Sequence, residues 1–96
     1  MSPHTFSAST TFVIAKEVLA TELGAEFVML NLADGIYYGL DEVGGEIWKL
    51  LATPVTAADI CRAIAASFDV EPDQCHADVQ KLLESLASRG LIEVRP

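Results

Sequence analysis

Ala33-Asp34-Gly35 constrains this chain most, because it separates two short apolar runs that read as paired strands. An acidic residue followed by glycine between such runs is a hairpin signal, read here as a three-residue loop with Gly35 left-handed at a bulge. Before it stands Glu26-Phe27-Val28-Met29-Leu30-Asn31-Leu32, apolar at successive positions, as in a strand covered on both sides. After it stands Ile36-Tyr37-Tyr38-Gly39-Leu40. A three-residue loop pairs Leu32 with Ile36, Leu30 with Tyr38 and Val28 with Leu40. All six then share the core face, with Phe27, Met29, Tyr37 and Gly39 opposite. Residues 17–23 form a possible third strand, joined through a Gly24-Ala25 turn with Gly24 at the first central position.

The pattern then becomes helical. Asp41 is placed to cap a helix over 42–52, where Val43, Ile47, Leu50 and Leu51 make one apolar stripe that Trp48 widens. Gly44-Gly45 costs this helix about 1 kcal/mol per glycine relative to alanine, which points to the close approach of another backbone. Pro54 closes the segment. Thr56-Ala57-Ala58-Asp59 resembles a capping box, and Val55 with Ile60 a hydrophobic staple. This second helix runs to about Ser67, with Ile60, Ala63, Ile64 and Phe68 inward. Pro72 suits the first position of a third helix. Its buried stripe is Cys75, Val79, Leu82, Leu83 and Leu86, and Gly90 is its left-handed cap. Leu91-Ile92-Glu93-Val94 reads as a short extended end. The expected fold is α+β: a three-stranded antiparallel sheet followed by three helices, winged helix-turn-helix-like, with the wing-like hairpin first. Residues 1–15 read as a flexible lead-in and 16–96 as the folded domain.

A chain of 96 residues with 51% hydrophobic composition holds one domain with a real core. Its formal net charge of −8 repels nucleic acid and anionic membrane over most of the surface. No apolar run approaches the roughly 18–20 residues that span a bilayer. Residues 1–5 show no basic region followed by an apolar block, so no signal peptide is expected. Two cysteines do not make a disulfide scaffold. A reduced, cytoplasmic protein is the simplest reading.

Residues that carry chemistry are few. Cys61, Cys75 and His76 make at most a partial zinc site, because structural zinc takes four ligands, usually in close pairs. Cys75 lies near a helix N-terminus, where a thiol is activated, but also on the apolar stripe, which favours a core position. The six glycines match no phosphate-binding pattern. No catalytic residue, metal or cofactor is expected. The adjacent tyrosines of 36–40 point one ring to each face, which is either an ordinary aromatic strand or an open sheet edge. An open edge offers unpaired N–H and C=O groups to a visiting peptide. A DNA-binding winged helix is the main alternative. The third helix then enters the major groove, although its outward Asp73, Asp78, Glu84, Gln80 and Lys81 face phosphates poorly. An adaptor that binds a folded protein surface is another.

The run from Val28 through Asp34-Gly35 and Tyr37-Tyr38-Gly39-Leu40 to Ile47-Trp48, continuing through Asp78-Val79, Leu82-Leu83 and Gly90-Leu91-Ile92, resembles the PqqD-like family. The likeness spans about 17–94. It implies a recognition element for ribosomally made, post-translationally modified peptides (RiPPs), which binds the leader of a precursor and presents it to an enzyme. It further implies that the leader adds as a strand beside Ile36, Tyr37, Tyr38, Gly39 and Leu40. The other wall is the third helix, at Cys75, Val79, Leu82, Leu83 and Leu86. Lys81 and Arg89 are the cations placed to meet acidic leader residues. The tyrosine-rich strand and the Ile-Trp helix look more like the stand-alone proteins of lasso-peptide clusters. There the partner is a separate cysteine leader peptidase; in pyrroloquinoline quinone synthesis it is a radical S-adenosylmethionine enzyme.

Overall fold

The computed structural model describes residues 9–24 and 26–95. The order is β1 (Thr11–Ile14), β2 (Val18–Leu23), β3 (Glu26–Asn31), β4 (Ile36–Leu40), α1 (Glu42–Leu50), β5 (Val55–Thr56), α2 (Ala57–Ser67), α3 (Pro72–Ser88) and β6 (Ile92–Arg95). Two antiparallel sheets form, β2-β3-β4 and β5-β1-β6. The first, with the three helices, is the expected α+β arrangement. The second was only partly foreseen, through the extended end at 92–94. β1 falls within the stretch expected to be a flexible lead-in, and its Phe12 is fully buried. The folded part therefore begins ahead of residue 16, since β1 is the centre strand that lets β5 and β6 pair.

The hairpin register differs from expectation by one residue. Asn31 pairs with Ile36, Met29 with Tyr38 and Phe27 with Leu40, leaving a four-residue turn over 32–35. Gly35 is left-handed, φ 71°; its N–H donates to the Asn31 carbonyl at 2.8 Å. The slip turns the other side of β3 inward. Met29 is fully buried, whereas Leu32, expected in the core, stands 53% exposed in the turn. Val28 and Leu30 face outward with Tyr37. The cause is Asn31. Its buried amide donates to the Arg89 carbonyl at 3.0 Å, and its side-chain oxygen accepts from the Ala33 N–H at 2.9 Å. An inward Asn with both partners satisfied outweighs an inward leucine. At the β2–β3 turn Gly24 has φ 65°; Ala25 lies outside the described residues.

The helices begin where capping chemistry places them. The Asp41 carboxylate accepts from the Gly44 N–H at 2.8 Å to start α1. Thr56 and Asp59 form both bonds of the capping box on α2. α3 ends in a Schellman motif at Gly90, with the Leu91 N–H donating to the Leu86 carbonyl at 3.0 Å. The inward face of α1 is Gly44, Gly45, Ile47 and Trp48, and Val43 is exposed rather than part of the stripe. The glycine pair answers to side chains, not to a neighbouring backbone. A Cβ on Gly45 would lie 2.6 Å from Cδ2 of the Phe27 ring. The core runs from Phe12 and Met29 through Ile47, Trp48 and Leu51 to Ile60, Ile64, Val79, Leu83 and Leu91. Among the described residues no helix is long and apolar enough to cross a membrane.

Candidate peptide-binding groove

β4 is an edge strand. Among the described residues its only strand partner is β3, so its outer row of backbone groups has no strand beside it. Across from this edge lies α3, and a groove runs between the two. Tyr37, Tyr38, Gly39 and Leu40 form one wall; Leu82, Ser85, Leu86 and Arg89 form the other; Met29 and Leu91 lie at its base. Beyond Leu40 the groove continues over Val43, Gly44, Ile47 and Val70, with Asp41 and Asp78 on its sides. Gly39, Leu40 and Leu82 belong to both halves, so Leu82 stands at the midpoint.

The local sequence explains this shape. Tyr38 and Leu40 are on the core face of β4 but at the rim of the sheet, so each is only half-buried. Gly39 brings no side chain to the edge. On α3, Asp78, Leu82, Ser85 and Arg89 recur at i, i+4, i+7 and i+11, one face beside the buried stripe. Arg89 was already named through the resemblance; that spacing is the signal by which Asp78 and Ser85 were open to detection from sequence as well. Met29 was hidden by the register slip.

The expected helix wall needs correction. Val79 and Leu83 are 2% and 0% exposed and belong to the core; Leu86, 3% exposed, is a core residue that reaches the groove lining, so of the apolar stripe Leu82 is the one half-buried at the groove. Cys75 is also buried, and it lines a separate small cavity with Cys61, Arg62, Pro72 and His76 on the α2 side of α3. Burial pushes the Cys61 thiol up to about 11, and the facing Cys75 adds to the shift. No three potential metal ligands converge among the described residues. Lys81 is exposed but does not line the groove. Ile36 begins β4, 50% exposed, and also lies outside the lining.

Charge within the groove is arranged by position. The Arg89 guanidinium sits 5.0 Å from the centre of the Tyr38 ring, and its Nε donates to the Ser85 hydroxyl at 3.3 Å. Among the described residues it has no carboxylate partner, whereas Lys49, Arg62 and Arg95 all do. The Tyr38 hydroxyl donates to Asp34 at 3.4 Å. At the other end Asp78 accepts from the Gln74 amide at 2.8 Å.

Behind the groove, the outer face of the β2-β3-β4 sheet is apolar and open. Leu19, Leu23 and Tyr37 are 58%, 61% and 69% exposed, beside half-buried Val28 and Leu30. Tyr37 borders both this face and the groove.

The β4 edge and the α3 face thus bound a groove lined by both apolar and polar groups. The chain matches the family of coenzyme PQQ synthesis protein D (PqqD) over residues 26–92. It is similar to TbiB1, solved in complex with the TbiA(beta) leader peptide: 34% identity, 84% of this chain and 94% of that one, TM-score 0.79. A lasso peptide synthetase B1 complexed with its leader peptide shares the fold at 22% identity, covering 85% of this chain and 96% of that one, TM-score 0.75. So does the PqqD truncation of Methylobacterium extorquens PqqCD, a stand-alone RiPP recognition element: 23% identity, 97% of this chain and 99% of that one, TM-score 0.76. No curated protein sequence matches the chain. This chain belongs to the PqqD family and has the fold of its RiPP recognition elements.

Proposed function

We propose that the chain binds the leader of a ribosomally synthesised precursor peptide and hands it to a separate enzyme, a leader peptidase of the lasso type. The observation that carries this reading is the open edge of β4 facing Leu82 and Leu86 across the groove. Similarity to TbiB1, whose structure holds a leader peptide, supports it. The leader adds to β4 as a fourth strand and sets alternate side chains against α3. Four or five backbone bonds contribute about 1 kcal/mol each, short of the roughly −8 kcal/mol of a micromolar complex. Apolar side chains over Met29, Leu40, Leu82 and Leu86 supply the difference at about 25 cal/mol per Å² buried.

Binding and presentation need no catalytic group on this chain. Presentation does need a surface for the enzyme, and the apolar outer face of the sheet fits that need. It is continuous with the groove through Tyr37, so an enzyme docked there sits beside the bound leader.

The test is a titration of the isotopically labelled chain with synthetic leaders of candidate precursor peptides, followed by NMR. Shifts concentrated on β4 and on the Leu82–Arg89 face support the reading. Shifts confined to other surfaces overturn it.

A further inference from the structure

The groove carries opposite charge at its two ends, and we infer that it selects a leader segment with a basic residue followed, four to six positions later, by an acidic one. This rests on the peptide-binding reading above and adds charge, spacing and direction to it.

Arg89 and Asp78 lie on the same face of α3, eleven residues apart, with Leu82 and Ser85 between them. At 1.5 Å per residue they are separated by about 16 Å along the helix. An extended peptide spans that distance in about five residues. Side chains on one face of a strand recur every second residue, so the matching charges stand at i and i+4 or i and i+6, with an apolar residue between them over Leu82.

The cation end is prepared for a carboxylate. Ser85 and the Tyr38 ring hold the Arg89 guanidinium, and no described carboxylate pairs with it. Among the described residues Lys16 and Lys81 are likewise without an ion pair, but Arg89 is the cation that lines the groove, so an acidic side chain entering there meets it. The opposite end carries Asp41 and Asp78 around Val43 and Val70. That end repels an acidic side chain, so charge excludes the reversed arrangement as well as favouring the right one.

We take the added strand to run antiparallel to β4, and direction follows from that. Asp41 and Asp78 lie at the Leu40 end of β4, and Arg89 lies near Tyr37 and Tyr38. A strand added antiparallel to β4, as β3 is on its other side, begins at the acidic end of the groove. Its basic residue therefore precedes its acidic one.

A random twelve-residue peptide library displayed on phage and selected on the whole chain tests this. Selection is repeated on Arg89→Glu and Asp78→Lys. Asp41 is left intact because its carboxylate caps α1. The expected result is a basic-before-acidic pattern at four to six positions on the unaltered chain. The preference at one end should invert with each substitution, and affinity of the original peptides should weaken about tenfold on Arg89→Glu. Groove-binding peptides, identified by NMR shifts on β4, that show no charge preference would overturn this inference and leave leader binding intact. Failure to select any groove binder would count against both. Circular dichroism of both variants separates misfolding from lost recognition.

Discussion

The side-chain amide of Asn31 donates to the main-chain carbonyl of Arg89 at 3.0 Å, joining the end of β3 to the end of α3. The groove lies between β4, which pairs with β3, and α3, so the bond ties the sheet to the helix at the Arg89 end of the groove. Its other half, the Ala33 N–H on the Asn31 side-chain oxygen, starts the turn into β4. One buried polar side chain thereby fixes hairpin register and groove width together.

Asn31→Leu is expected to lower stability by about 1–3 kcal/mol, because the Arg89 carbonyl and the Ala33 N–H both lose a partner. Urea denaturation measures the loss. The same variant should broaden NMR resonances at Tyr37, Tyr38 and Arg89 more than those of α2. Uniform effects across the chain would show that the bond does not position the groove.

Gly45→Ala tests the contact between α1 and β3. Alanine gains about 1 kcal/mol of helix propensity. Its Cβ, however, meets the Phe27 ring at 2.6 Å, and overpacking costs about 1–3 kcal/mol. Net destabilisation is expected, and Phe27→Leu in the same chain should recover part of it. A more stable Gly45→Ala would mean that the ring moves aside freely.

Leu82→Glu should abolish leader binding while the chain stays folded. Leu82 is half-buried at the midpoint of the groove, and a carboxylate there desolvates on binding. Calorimetry is expected to show at least a tenfold weaker complex with the melting temperature little changed. Full affinity in the variant would place the leader elsewhere.

Leu19→Asp on the outer sheet face should separate the two proposed steps. Leader affinity is expected to remain, since Leu19 lies on β2, away from the groove. Cleavage of the leader by the partner peptidase should fall. Unimpaired cleavage would remove this face from the enzyme contact.

Cys61 imposes a pH dependence at the alkaline end. Its thiol stays protonated in the folded chain until about pH 11, whereas in the unfolded chain it ionises near 9. Between these values the folded state holds the extra proton, so stability falls as pH rises through the window; below pH 9 this group contributes no slope. Thermal melts of the chain and of Cys61→Ala, compared from pH 8 to 11, isolate the effect. Equal slopes would show that the thiol is not held protonated.

Much of the architecture was written in local chemistry. Asp41, the Thr56–Asp59 box, Pro72 and Gly90 mark helix ends through bonds that reach no more than a few residues along the chain, and the observed boundaries agree with them. Gly35 likewise marks its turn. Periodicity located β4 and the apolar positions of α3; that β4 is the edge and α3 the wall opposite it was implied by the family resemblance, since the residues alone left an ordinary aromatic strand equally open.

What local pattern could not reach was anything decided between distant elements. Phe12 lies in a stretch expected to be a flexible lead-in, and it is buried where β5 and β6 close on β1 from residues far along the chain. Met29 and Leu30 are equally apolar neighbours, and the register that turns Met29 inward is the one in which Asn31 reaches Arg89, 58 positions away. Leu82 and Leu83 are adjacent leucines on one helix, yet one lines the groove and the other is sealed in the core. The sequence by itself determined the β3–β4 hairpin, the three helices and their caps, because these depend on short-range bonding and periodicity. The tertiary structure alone decided the register, the second sheet and which face of α3 meets β4 across the groove. Those depend on which surfaces meet.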